Sequence, residues 1–181
     1  MVLHSIYDTT GQTHPCLYSS QPEPIGRLRS AMADGAYLAA HWTDPTAEVP
    51  LAALEKELGD KLLVPERWQY IFPQTGLLIS SSISGGDLKS RFREAAERGP
   101  NRCWLLLEPM SMAFSLPCPD GQGQPAEPPE AEGFYSEALG CRYVHSPGQV
   151  ILFDTDETLA QKRQWAMEAG FLGWLDIQKL P

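Results

Sequence analysis

Carboxylates at the ends of buried strands are the side chains in this sequence best suited to acid–base chemistry. Glu108 is the clearest case. It follows Trp104-Leu105-Leu106-Leu107, an apolar run that reads as a buried strand, and partial desolvation there suits a general acid. Asp176, near the end of the apolar stretch from Phe171 to Ile177, is the second such carboxylate. A hydrolase would use the two as acid and base across about 5–9.5 Å. His41 follows Ala36-Tyr37-Leu38-Ala39-Ala40 and places an imidazole, the side chain that titrates nearest neutrality, at another strand end. Trp42 beside it offers a flat face for a sugar or other planar ligand. Ser81, Ser82 and Asp154 complete the strand-end candidates. Each has a plainer role to set beside the chemical one: a carboxylate capping backbone amides, a histidine with a satisfied ring, a tryptophan filling the core.

Other motifs point to ordinary structure. Ser84-Gly85-Gly86-Asp87 sits between a predicted strand and a predicted helix, where backbone amides could cradle an anion. It lacks the Gly-Lys-Ser/Thr ending of a nucleotide loop, and Asp87 would repel an anion, so a helix N-cap accounts for it. Ser80-Ser81-Ser82 has no Gly-x-Ser-x-Gly elbow. Asp154 and Asp156 suit the start of the helix that follows them as well as they suit a divalent cation. Cys16, Cys103, Cys118 and Cys141 form no C-x-x-C, and the His14/Cys16 and Cys141/His145 pairs would have to converge on one point to hold a metal. No metal and no cofactor is expected.

The elements that must position these residues alternate. Short helices are predicted from Pro24 to Asp34, around Leu51, Leu54 and Leu58, after Asp87, and from Asp156 or Thr158 to Gly170. Strands are predicted from Ala36 to Ala40, within Thr75 to Ser82, from Trp104 to Leu107, from Val150 to Phe153 and from Phe171 to Ile177. Thr9 to Pro24, polar and without period, reads as a loop or extended arm. Pro117 to Gly133, rich in proline and acidic, reads as a mobile insertion in preference to an ordered lid. Short apolar runs alternating with amphipathic helices imply parallel strands and crossover connections. The expected fold is one α/β domain over residues 1–181, a mainly parallel sheet with alternating helices.

The C-terminal stretch carries a resemblance. Phe153-Asp154-Thr155-Asp156-Glu157-Thr158-Leu159-Ala160-Gln161-Lys162, then a helix running to Gly170 and Gly173, resembles the last helix and strand of family 18 glycoside hydrolases, the chitinases and their spore-cortex relatives. The resemblance implies a (β/α) barrel, reduced or partial at this length, and a cleft for a carbohydrate. The family's D-x-x-D-x-D-x-E strand is absent, and its closing tryptophan falls on Ile177. The expectation is therefore a relative without family 18 catalysis that binds a carbohydrate, another small ligand or a protein partner. The alternative is a glycosidase-like hydrolase built on Glu108 and Asp176.

Composition narrows the partners. The 181 residues carry 14 Lys+Arg against 23 Asp+Glu, a net charge of −9, with a pI near 4.8. No basic stripe is available to replace the counterions of a nucleic acid, and the same deficit opposes anionic membranes. No apolar run reaches the roughly 18 residues of a spanning helix. The first residues lack a secretory signal and the cysteines suit a reducing compartment, so a cytoplasmic location is expected.

Overall fold

The computed structural model describes residues 1–118 and 121–177. The chain opens with a hairpin of β1 (Val2–Asp8) and β2 (Thr13–Ser19), in register from Val2 opposite Tyr18 to Tyr7 opposite Thr13. One side chain organises its turn. The Asp8 carboxylate accepts hydrogen bonds from the Thr10 amide at 2.8 Å, the Thr10 hydroxyl at 2.6 Å and the Gln12 amide at 3.0 Å. Gly11 supplies the left-handed φ of +83° that this reversal needs.

Next come α1 (Ile25–Ala31), β3 (Tyr37–Ala40), α2 (Glu48–Leu58), β4 (Leu62–Pro65), β5 (Gly76–Ser80), α3 (Leu88–Arg98) and β6 (Cys103–Leu107). Between β4 and β5 the chain makes a short 3-10 turn at Glu66–Trp68 in place of a longer helix. The Arg102 guanidinium holds this crossover, donating to the carbonyls of Phe72 and Thr75 at 2.7 Å each. The chain then leaves for β7 (Ser111–Ser115), β8 (Gln124–Pro125), β9 (Phe134–Ser136), β10 (Cys141–Ser146) and β11 (Gln149–Phe153). It returns through α4 (Asp156–Glu168) to β12 (Gly173–Asp176).

Seven strands close a barrel in the order β1-β12-β6-β5-β4-β3-β2, and the other five form a separate sheet in the order β8-β7-β11-β10-β9. This corrects the expected fold. The run β2-β3-β4-β5-β6-β12 is parallel, but β1 is antiparallel to both of its neighbours, and every pairing of the second sheet among the described residues is antiparallel. The molecule is a mixed barrel with an antiparallel sheet, not a mainly parallel sheet with alternating helices and not a (β/α) barrel of the glycosidase type. The physical reason is the tightness of two reversals. The turn after Asp8 and the turn between Ser146 and Gln149 are too short for a crossover, so each can join only antiparallel strands. Val150–Phe153 is thus a strand of the second sheet and lies outside the barrel.

Two further expectations change. Thr9–Pro24, read as loop or extended arm, contains β2, which is extended but paired on both sides in the barrel. In the proline-rich stretch, Gln124 and Pro125 pair with Ala113 and Met112, so this part is an edge strand, where a proline costs no ladder bond. Pro119 and Asp120 of that stretch lie outside the described residues.

The barrel wall separates two apolar layers. Ile6, Cys16, Ala39, Leu63, Leu78, Trp104, Leu106 and Leu175 fill the interior, while Leu17, Leu38, Leu62, Leu77 and Leu105 pack outward with the helices. Trp104 occupies the interior because glycines flank it. A Cβ on Gly76 would meet the Leu63 side chain and the Trp104 indole, and one on Gly173 would meet the Tyr7 carbonyl and the same indole. The second sheet is fastened where it leaves and rejoins the barrel. The Met110 amide donates to Asp154 Oδ2 at 2.9 Å, and the Asp154 amide donates to the Met110 carbonyl at 2.8 Å. No helix among the described residues is long and apolar enough to cross a membrane.

Candidate functional site

Side-chain alternation decides what reaches the end of the barrel. On β6, Trp104 and Leu106 point inward, so Glu108, two residues on, does the same. Ser80 follows Gly76 and Leu78 on β5, His41 follows Tyr37 and Ala39 past β3, and Tyr18 follows Cys16 on β2. Because β1 runs the opposite way, its early residue His4, two before the inward Ile6, arrives at the same end. Five polar side chains from five strands thus close an interior that is otherwise apolar. This is the end at which the parallel strands finish, where side chains leave a sheet and loops begin.

The group is connected. Ser80 Oγ donates to Glu108 Oε2 at 2.7 Å, and the Ser82 amide donates to Ser80 Oγ at 3.1 Å. Tyr18 Oη and His41 Nδ1 are 3.2 Å apart, and His41 Nδ1 lies 4.0 Å from Glu108 Oε1. Burial, helped by the negative charge of Glu108, pushes the Tyr18 phenol up to about 12. Tyr18 therefore keeps its proton and shares a hydrogen bond with His41 Nδ1. Ser81, fully buried, fixes the backbone beneath: its hydroxyl accepts from the Glu108 amide at 3.0 Å and donates to the Glu108 carbonyl at 3.2 Å. The side chains of Glu108 and His41 remain 25% and 27% exposed, so solvent and small solutes reach both.

His4 stands apart in one respect. Its ring meets Tyr18 edge to face at 6.0 Å between centroids, yet its buried Nε2 has no hydrogen-bond partner among the described residues. Burial pulls its pKa below the usual histidine value, partly opposed by the charge of Asp176. The ring is neutral near pH 7. Beside it, a cleft of about 400 Å³ is lined by Leu3, His4, Ser5, Tyr7 and Asp176.

The residues singled out from sequence divide into three kinds. Glu108 and His41 meet at the mouth. Asp176 does not join them: on β12 it shares the outward parity of Trp174, which stacks on Tyr7 outside the barrel, so the wall separates it from Glu108. Trp42 and Asp154 are parts of the framework. Trp42 is fully buried, its indole N–H donating to Ser19 Oγ at 3.2 Å and its carbonyl accepting from Trp68 Nε1 at 2.9 Å. The Asp154 carboxylate accepts from the Met110 amide, from the Thr158 hydroxyl at 2.8 Å and from Lys162 Nζ at 2.8 Å, with both charged side chains 0% exposed.

The minor candidates resolve locally. Asp87 caps α3, accepting from the Ser90 amide at 2.7 Å. Cys141 and His145 lie on one strand, four residues and about 13 Å apart at a strand's rise, too far to share an ion. Among the described residues no group of three His, Cys, Asp or Glu is arranged to hold a metal. Tyr18, His4 and the role of Ser80 were not legible beforehand. The available signal was the alternation of Val2–Asp8 and Thr13–Ser19 about the turn at Asp8–Gln12, which marks a hairpin.

No family model, curated protein or solved structure matches this chain. The resemblance to a glycoside hydrolase therefore gains no support, and neither does the carbohydrate cleft that it implied.

Proposed function

We propose that this chain binds a small polar ligand at the mouth of its barrel, with Glu108 as the central recognition group. The observation that carries this reading is the closing of an apolar barrel by Glu108, Ser80, His41, Tyr18 and His4. A barrel end serving only stability would be capped by apolar side chains or by polar groups that satisfy one another, because an unpaired buried donor or acceptor costs about 1–3 kcal/mol. Here the carboxylate is half-open and the His4 Nε2 is unmatched. Glu108 is also placed to take a proton from a bound molecule, with the Ser80 hydroxyl holding its other oxygen. The Glu108–Asp176 acid–base pair is not part of the proposal, since the barrel wall lies between them.

The test is a thermal-shift screen of the full chain and of Glu108→Gln against small amines, amides, alcohols and carboxylic acids. A ligand at 100 times its Kd adds about 2.7 kcal/mol, a rise of several degrees in Tm for a chain of this size. Hits on the native chain that vanish in Glu108→Gln support the reading. Hits that persist unchanged in the variant place the ligand elsewhere and overturn it.

A further inference from the structure

We infer that the ligand class of this mouth is a primary alkylammonium, its charged head seated on Glu108; the inference rests on the ligand-site reading above. Among the described residues no arginine or lysine nitrogen lies within 4.0 Å of the Glu108 carboxylate, and the one ring nitrogen at that distance, His41 Nδ1, is engaged by Tyr18. Among the described residues, the buried or partly buried cations Lys162 and Arg102 serve elsewhere, on Asp154 and on backbone carbonyls. An ionised carboxylate offers about four acceptor positions, and Glu108 receives one side-chain hydrogen bond, from Ser80. An anionic ligand would meet this charge uncompensated, with Asp176 adding its own across the wall and a net charge of −9 behind both.

The remaining groups suit the same head. An ammonium carries three donors, and the mouth presents acceptors in the Glu108 carboxylate and the Ser80 oxygen bonded to it. The Tyr18 ring, with His4 edge-on at 6.0 Å and His41 tilted at 6.3 Å, sets an aromatic group beside the carboxylate, His41 lying 4.0 Å from it. Below, Trp104, Leu78, Leu63 and Leu106 fill the interior. The site therefore admits a head group only, and the alkyl part points out of the barrel.

Three probes of equal length separate the alternatives: n-butylammonium, n-butanol and butyrate. Each is titrated into the full chain at pH 7 while the imidazole resonances of His4 and His41 are followed by NMR. The expected result is saturable movement of both rings with butylammonium, at least tenfold weaker with butanol and with butyrate, and weakened by added salt. Glu108→Gln should lose at least tenfold in affinity. Glu108→Asp, which keeps the charge, should stay within a few-fold and guards against a loss caused by misfolding. Butanol or butyrate binding as tightly as the amine would overturn the ammonium assignment and leave the ligand site standing. Three probes that all leave both rings unmoved would overturn the site itself.

Discussion

Glu108 and Asp154 are both carboxylates at the ends of strands, and a sequence cannot tell them apart. Their surroundings differ in every respect. Asp154 is sealed, with an amide, a hydroxyl and an ammonium all donating to it. Glu108 is 25% exposed and receives one hydroxyl from a side chain, with a half-exposed imidazole 4.0 Å away. A carboxylate whose acceptor positions are filled by its own chain is a staple. One whose positions are left open at a barrel mouth has capacity for something else. Partner count and access, not residue type or strand position, separate framework from site.

The largest expected effect falls on the staple. Lys162→Met removes one partner of a fully buried pair and leaves Asp154 uncompensated, a loss of about 3–5 kcal/mol. Urea denaturation of the variant would read it directly. Asp154→Asn combined with Lys162→Met should recover part of that loss, because the uncompensated charge is gone; a fully additive double variant would show that the pair does not act as a unit. The barrel floor comes next. Gly173→Ala drives a Cβ into the Tyr7 carbonyl and into the Trp104 ring, at 2.6 Å from the latter, and should cost roughly 1–3 kcal/mol by overpacking. An unchanged denaturation midpoint would mean that the packing around Trp104 is looser than described.

The framework was more legible than the site. Helices α2, α3 and α4 announce themselves through apolar spacing and through caps, although the cap of α4 is Thr155, in a reciprocal pair with Thr158, and not Asp156 or Thr158 itself. β3, β5 and β6 are continuous apolar runs because both their faces are buried, one in the barrel and one under helices. Strands covered on one face carry no such run. β7, β9 and β10 are half-exposed and mix Ser, Tyr, Arg and His with their apolar residues, so the second sheet was unreadable apart from β11. β4 is four residues long and gave no period. Which sheet a strand joins depends on long-range closure, and no local pattern encodes it; Val150–Phe153 shows this. At the site, Glu108 and His41 follow from the strand-end rule. Tyr18 and His4 do not, because the hairpin that carries them, with its threonines and Pro15, resembled a polar arm.

At the mouth the expected changes in stability are small, and this is the sharpest contrast with the staple. Glu108→Gln keeps the volume and can still accept from Ser80, so its unfolding free energy should change by less than about 1 kcal/mol. A rise would be consistent with a group retained for binding at some cost to the fold. A loss equal to that of Lys162→Met would mean that Glu108 is a staple too, and the distinction drawn between the two carboxylates would fail.

Tyr18 gives the mouth a signature in pH. Its phenol is raised to about 12 in the folded chain, against about 10 when unfolded, so the folded state holds that proton longer. The stability this contributes is complete below pH 10 and is lost as the pH climbs from 10 toward 12, because the unfolded chain ionises first. The buried thiols of Cys16, Cys103 and Cys141, raised to about 12, 11 and 11, act with the same sign. Burial also raises the phenols of Tyr37 and Tyr135, so Tyr18→Phe removes one of these contributions and leaves the thiols and those two phenols. Its stability should therefore fall less steeply than that of the native chain between pH 10 and 12, while at neutral pH the variant frees His41 Nδ1 from its hydrogen-bond partner. Denaturation midpoints measured across that range, beside absorbance at 295 nm for tyrosinate, separate the two causes. A Tyr18→Phe curve parallel to the native one would assign the alkaline loss to the thiols and to the other raised phenols, Tyr37 and Tyr135, and would mean that the Tyr18 phenol reaches solvent freely, so the mouth would be a wet surface without the buried wall that a ligand head requires.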